Sequence, residues 1–305
     1  MIESTRVKAF RLGLAKQIPK FPNDRASLQM LQAKALGSLL IDYANWAIRY
    51  AAPRPRAVIV EPSASSDPRW QTLSGDIQAL LNKVRQGDDL TPHISLQPHT
   101  RGFSPAASGA GPDVDRWADK DMLLNVMGYH HFHFDAVPHN QMRSDDVLFA
   151  HVTRDTFTVI GIFNHSVFLP TSAQRQTGRC SFRALLSRLG WASSGARITA
   201  ERGRLWQIFD ERSTRGAPAG SVIVPSMIAT SGHSLYFVKA SIDYARVIAE
   251  IDRKLDDPSY VTDLYLQAGI PKPKKPKLRW HLNVLDLGLL DKETGTFFIL
   301  RKGPT

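Results

Sequence analysis

The run Gly128-Tyr129-His130-His131-Phe132-His133-Phe134-Asp135 decides how the chain is read. Its glycine stands where a short helix over residues 119–127 should close on a left-handed residue, a conformation glycine enters without steric cost. Beyond it the pattern changes to a period of two. Successive strand side chains point to opposite faces, so His131, His133 and Asp135 share one face, and Phe132 and Phe134 the other. The expectation is an aromatic face turned to a core and a polar face open to a cleft. Residues 147–152 and 156–163 read as two further strands, rich in aromatic and β-branched side chains. Thr153-Arg154-Asp155 between them has the length of a hairpin loop.

Working outward, Pro22-Asn23-Asp24 offers a cap for one long helix over residues 25–51, with Leu28, Leu31, Ala35, Leu39, Tyr43, Trp46 and Tyr50 on one stripe. Pro53-Arg54-Pro55-Arg56 ends it, and residues 57–60 make a short strand. A helix over residues 70–86 stops at Gly87, and residues 99–113 read as an exposed loop. Residues 181–189 form a short helix, whereas 191–220 are rich in Arg and Gly and poorly periodic. Leu235 to Lys239 looks like a strand, followed by helices over 241–255 and 258–268. A terminal hairpin pairs residues 278–285 with 296–300, its turn near residues 291–295. The fold class is therefore α+β: a mostly antiparallel sheet with packed helices and an N-terminal helical segment. The expected division is a basic helical segment over 1–58 and an α+β domain over 59–305.

Of 305 residues, 43% are apolar and 22% charged, an ordinary globular mix that excludes collagen-like and coiled-coil chains. No apolar run approaches the ~18–20 residues that span a bilayer, so no membrane partner is expected. Met1-Ile2-Glu3-Ser4-Thr5-Arg6 holds no apolar core of a secretory signal. The one cysteine, Cys180, has no disulfide partner within the chain, which fits a reducing cytoplasm. The net charge of +11 is unevenly spread: residues 1–60 carry +7, 61–170 carry −5, 171–220 carry +6 and 221–305 carry +3. Basic flanks around an acidic middle suggest an anionic partner, of which nucleic acid is the commonest, against a basic surface kept for solubility.

Six of the ten histidines, His130, His131, His133, His139, His151 and His165, fall between residues 130 and 165. Three readings stand for them. In the first, a histidine takes the proton from a ribose 2′-hydroxyl, a second protonates the leaving oxygen, and Arg143 holds the charged phosphorane. Imidazole suits both proton transfers because it titrates near working pH, and a guanidinium stabilises the developing charge. No metal or cofactor enters this reading. In the second, His131 and His133 grip a divalent metal with His151, His165 or Asp135, as in a metal-dependent hydrolase. In the third, the histidines are structural and the chain is a non-catalytic RNA-binding or assembly protein.

Gly87-Asp88-Asp89-Leu90-Thr91-Pro92-His93-Ile94-Ser95, Lys120-Asp121-Met122-Leu123-Leu124-Asn125, Gly128 to Phe134, Arg143 to Ala150 and Ile162-Phe163-Asn164-His165 together resemble a bacterial and phage-associated group. That group carries a GIHHLHL … LLFA … H pattern, with Tyr129 here where it often has isoleucine. Through that group the chain resembles the nuclease fold shared by barnase, colicin and RelE-type toxins. The pattern covers about residues 87–168. It implies an endoribonuclease of a toxin or antiviral-defence system, with an antitoxin or regulatory protein as partner beside RNA.

Arg175, Arg179, Arg183 and Arg188 recur at steps of four, four and five and would line one helical face, suited to phosphate through the planar guanidinium fork. Trp191 and Trp206 lie among Arg197, Arg202, Arg204, Arg212 and Arg215, an interleaving that single-stranded RNA contacts use, or that a solvated face displays. His233 before the strand at 235 is a further loop histidine. No nucleophile elbow, phosphate loop or dinucleotide fingerprint is present, which disfavours serine hydrolases, ATPases and dinucleotide enzymes. The preferred catalytic set is His131, His133 and Arg143, with His151 and His165 as further candidates.

Overall fold

In the computed structural model, residues 3–105, 119–135, 145–168, 199–216, 228 and 233–303 are described. Their helices are α1 (Thr5–Gln17), α2 (Arg25–Ala33), α3 (Leu36–Ala47), α4 (Pro62–Ser65), α5 (Pro68–Thr72), α6 (Ser74–Gln86) and α7 (Gln97–Thr100). Further along come α8 (Met122–Met127), α9 (Ala200–Thr214), α10 (Leu235–Ile251) and α11 (Pro258–Gln267). The strands are β1 (Ala57–Val60), β2 (Tyr129–His133), β3 (Asp146–Val152), β4 (Thr156–Asn164), β5 (Leu278–Asn283), β6 (Asp286–Asp291) and β7 (Phe297–Arg301). The class is α+β. The strands form two sheets rather than the single one expected.

The chain divides into two compact units, and neither follows the expected boundary at residue 58. One unit gathers residues 1–50, 97–120 and 235–305; the other gathers 51–96 and 121–234. The N-terminal helices are thus no separate segment. Their core side chains Leu14, Leu39, Leu40 and Tyr43 are buried in the same unit as the C-terminal strands. Arg6, one of the N-terminal cations, pairs with Asp252 at 3.2 Å and Asp256 at 2.8 Å within that unit.

In the first unit the expected long helix is broken. Lys34 and Ala35 are extended between α2 and α3. The break lets the Lys34 ammonium reach the buried Asp42 carboxylate at 2.5 Å and lie over the Phe103 ring. Leu235 to Lys239 is not a strand but the start of α10. Phe237, Ser241, Tyr244 and Ile248 are buried at steps of four, three and four, so a helical period prevails over local β-branched character. The C-terminal sheet has three antiparallel strands in the order β5-β6-β7, so the expected hairpin gains a middle strand. The turn from Asp291 to Gly295 is where expected, closed by Gly295 N donating to Asp291 O. The second turn is at Val284 and Leu285, between the paired Asn283 and Asp286.

Val284 holds φ at 54°, which a β-branched residue adopts only under strain. A positive φ at the first of two turn residues belongs to the type II′ hairpin, whose preferred residue there is glycine. The turn is held by Tyr244 Oη donating to Leu285 O at 2.6 Å and by Gly303 N donating to Asp286 Oδ1 at 2.7 Å.

The second unit carries a four-stranded sheet in the order β1-β4-β3-β2. The β2–β3 and β3–β4 pairs are antiparallel and β1 runs parallel to β4. Asp121 caps α8 by accepting from Leu124 N, and Gly128 at φ 72° ends it, feeding directly into β2. Residues 191–220, read as poorly periodic, contain the 15-residue helix α9, capped by Thr199 accepting from Arg202 N. Leu205, Ile208 and Phe209 on α9, with Leu123, Val126 and Met127 on or beside α8, pack over Tyr129, Val147, Phe149 and Phe163. The opposite face buries Phe132 against Phe157, ring centres 5.2 Å apart.

Replacing Val284 by glycine should raise thermal stability, by about 0.5–1 kcal/mol once glycine's greater freedom in the unfolded chain is set against the relieved strain. Equilibrium unfolding of the Val284→Gly variant measures this; an unchanged or lowered stability refutes the strained turn.

Candidate functional site

The β2–β3 register fixes which histidines meet. Tyr129 pairs with His151, His131 with Phe149 and His133 with Val147, so all six side chains share one face of the sheet. His131 and His133 do lie on one face, their rings 6.2 Å apart. That face is largely covered, however, by α8, α9 and the short turn His165–Phe168. His133 is buried, and the His131 side chain keeps only 13% of its surface exposed. The expected open polar face is therefore a rim. Aromatic burial takes precedence because Tyr129, Phe149 and Phe163 on this same face need a cover.

At that rim His165 completes a group of three. Its ring lies 5.2 Å from His133 and 5.8 Å from Phe168, and Phe168 in turn lies 4.7 Å from His131. His165 Nδ1 is 2.7 Å from Asp145 O and 3.2 Å from Asp145 Oδ1. A backbone carbonyl only accepts, so Nδ1 carries a proton, and in the neutral form of the ring the lone pair is then on Nε2. His131 Nδ1 faces Asp121 Oδ2 at 3.5 Å, while the other oxygen of Asp121 caps α8. Two imidazoles thus each have a carboxylate on the Nδ1 side, with Phe168 against both. Beneath them His93 Nδ1 donates to His133 O at 2.9 Å, and the Lys83 ammonium lies 3.2 Å from His93 Nε2.

An ionic network holds the elements that carry this group. Asp67, the α5 cap, receives Arg69 at 2.9 Å and Arg204 at 2.6 Å. Arg69 also reaches Asp146 of β3 at 3.4 Å and Glu201 of α9 at 3.3 Å. Burial opposes the Asp67 charge, but the hydrogen bonds from Arg69 and Arg204 outweigh it and hold its carboxyl down at about 2. Arg204 also donates to Ile162 O and stacks over Phe163 at 4.2 Å. Thr199 Oγ1 donates to Ser166 O at 3.0 Å, which ties the His165 turn to the start of α9.

His151 stands apart from the histidine group. It is one same-face step, about 7 Å, along the sheet from the His131–Phe149 pair. Its ring lies 6.4 Å from Tyr129, in an open cavity of about 410 Å³. Burial, with the nearby Arg212 charge adding to it, lowers the His151 pKa. Arg212 and Arg215 share Glu61 in this cavity, at 3.1 and 3.0 Å.

Arg143, Arg175, Arg179, Arg183, Arg188 and Arg197 lie outside the described residues, as do His139, Cys180, Trp191 and the helix expected over residues 181–189. Of the other arginines read as RNA contacts, Arg202 is buried, and Arg204 and Arg212 turn to acidic partners; Arg215 is the exposed one among these four. Asp121, Asp145, Phe168 and His93 were not singled out by spacing. Asp121 had a legible signal as a helix cap, whereas Asp145 meets His165 only through the β3–β4 pairing of Asp146 with Asn164. Among the described residues no three of His, Cys, Asp and Glu converge as metal donors. No described helix is long and apolar enough to cross a membrane. Comparison with family models, curated proteins and solved structures returns no match.

The lowered His151 pKa has a consequence for stability. The unfolded chain binds this proton at a higher pH than the folded one, so stability is full above about 6.5 and falls as pH drops through that value. Unfolding curves from pH 7.5 to 5 should show a shallower loss for His151→Gln than for the parent; equal slopes refute a neutral, half-buried His151.

Proposed function

We propose that the His131–His133–His165 group performs metal-free acid–base phosphoryl transfer on RNA. The observation that carries this is the pair of imidazoles beside Phe168, each with a carboxylate on its Nδ1 side. His165, with its Nε2 lone pair outward, takes the 2′-hydroxyl proton as O2′ bonds to phosphorus. His131 gives a proton to O5′ as the P–O5′ bond breaks, and its imidazolium faces Asp121 while it waits. His133 packs beneath His165 and orients it. Arg143, a few residues before β3, is the cation assigned to the phosphorane on sequence grounds. The products are a 2′,3′-cyclic phosphate and a 5′-hydroxyl, with all atoms and protons accounted for.

In this reading the protein is a cytoplasmic endoribonuclease of toxin or antiviral-defence type, and an antitoxin or other regulatory protein restrains it. The basic composition supports an RNA partner, with affinity that falls as salt rises.

Purified protein incubated with total RNA should cleave equally with and without EDTA and leave 2′,3′-cyclic ends. His165→Ala and His131→Ala should each lower the rate by about 10²–10⁴-fold, the usual share of a general acid or base. The rate should rise and fall with pH across the imidazole range. Cleavage abolished by EDTA and restored by zinc or manganese moves the chemistry to a metal site. RNA binding without cleavage under any condition makes the chain a binding protein.

A further inference from the structure

The cavity at the other end of the β2–β3 face has no part in that chemistry. We infer that it is a binding site for a nucleoside monophosphate or a closely similar phosphate-bearing ring. It is open, about 410 Å³ in volume, within the range of small-ligand sites. Met127, Tyr129 and Phe209 give it apolar and aromatic walls. Arg212 and Arg215, near the end of α9, bring two guanidiniums to the same space.

Glu61 sets their geometry. It follows β1, donates its N–H to Val159 O on β4 and begins α4, so its backbone is anchored to the sheet. Arg212 Nε donates to Oε1 at 3.1 Å and Arg215 Nη1 to Oε2 at 3.0 Å. One carboxylate against two guanidiniums leaves one positive charge in excess. Each guanidinium has five N–H donors, and Glu61 engages one from each. The Arg212 guanidinium also lies over the Tyr129 ring, 6.0 Å from its centre. The fork geometry of arginine suits a phosphate's several oxygens better than a point charge would. Half-buried His151 and exposed Ser213 add polar groups at the wall.

A bare phosphate fills little of such a cavity, and an uncharged nucleoside leaves the excess charge unanswered. A phosphate joined to a flat ring meets both features. The inference stands independently of the acid–base reading, because the two groups of side chains are separate on the sheet.

Titration calorimetry with adenosine 5′-monophosphate, adenosine and inorganic phosphate tests it. The monophosphate should bind more tightly than either fragment. Arg215→Ala, a change at an exposed side chain, should weaken it by on the order of tenfold with the melting temperature unchanged. His165→Ala should leave it unaltered. Absent binding of the monophosphate, equal binding of adenosine, indifference to Arg215→Ala, or loss with His165→Ala each overturns the assignment. A failure of RNA cleavage leaves it untouched.

Discussion

The antiparallel register of β2 on β3 is the constraint from which the second unit follows. Tyr129 opposite His151, His131 opposite Phe149 and His133 opposite Val147 put three aromatic or imidazole rings of β2 on the face that α8 and α9 cover. A slip of one residue would exchange that set for His130 and Phe132 and turn the histidine rim into the opposite core. Gly128 is what starts the register, because a left-handed stop to α8 delivers the chain to β2 without an intervening loop. Phe149, fully buried between Phe163 at 5.0 Å and Phe168 at 5.8 Å, fills the centre. A buried aromatic of this kind contributes about 3–5 kcal/mol, well beyond what a rim ion pair supplies.

Two groups of charged side chains in this unit pair with one another across elements. Asp67, Arg69, Asp146, Glu201 and Arg204 form one connected network, and Glu61 with Arg212 and Arg215 forms another. Both networks tie the α4–α5 region after β1 to α9, and they do so from opposite ends of that helix. The excess positive charge of residues 171–220 thus has an architectural component as well as any role towards an anionic partner.

What was legible in the sequence was local. The β2, β3 and β4 strands, the stop at Gly128 and the cap of the helix ending at Gly87 all follow from period and turn chemistry. The shared face of His131 and His133 follows from strand alternation alone. The covering of that face was not legible, because α9 lies in an arginine-rich stretch whose apolar side is short: Leu205, Ile208 and Phe209. The place of His165 beside His133 depends on where β4 ends against β3, and the surroundings of His151 depend on Arg212 and Glu61 arriving from distant segments. The strand expected at residue 235 failed because a short run of mostly apolar residues fits equally well on the first turn of an amphipathic helix.

The acid–base role proposed for His165 depends most on the Asp145 carbonyl holding its proton on Nδ1, which leaves Nε2 of this partly exposed ring as the basic nitrogen. Long-range proton–nitrogen correlation spectra of histidine-labelled protein, recorded above the imidazole range, read that tautomer directly. The His165 signal is assigned by its loss in His165→Gln. The expected result is a protonated Nδ1 and an unprotonated Nε2 at this position. A proton on Nε2, or the mixture of tautomers of a free histidine, contradicts it.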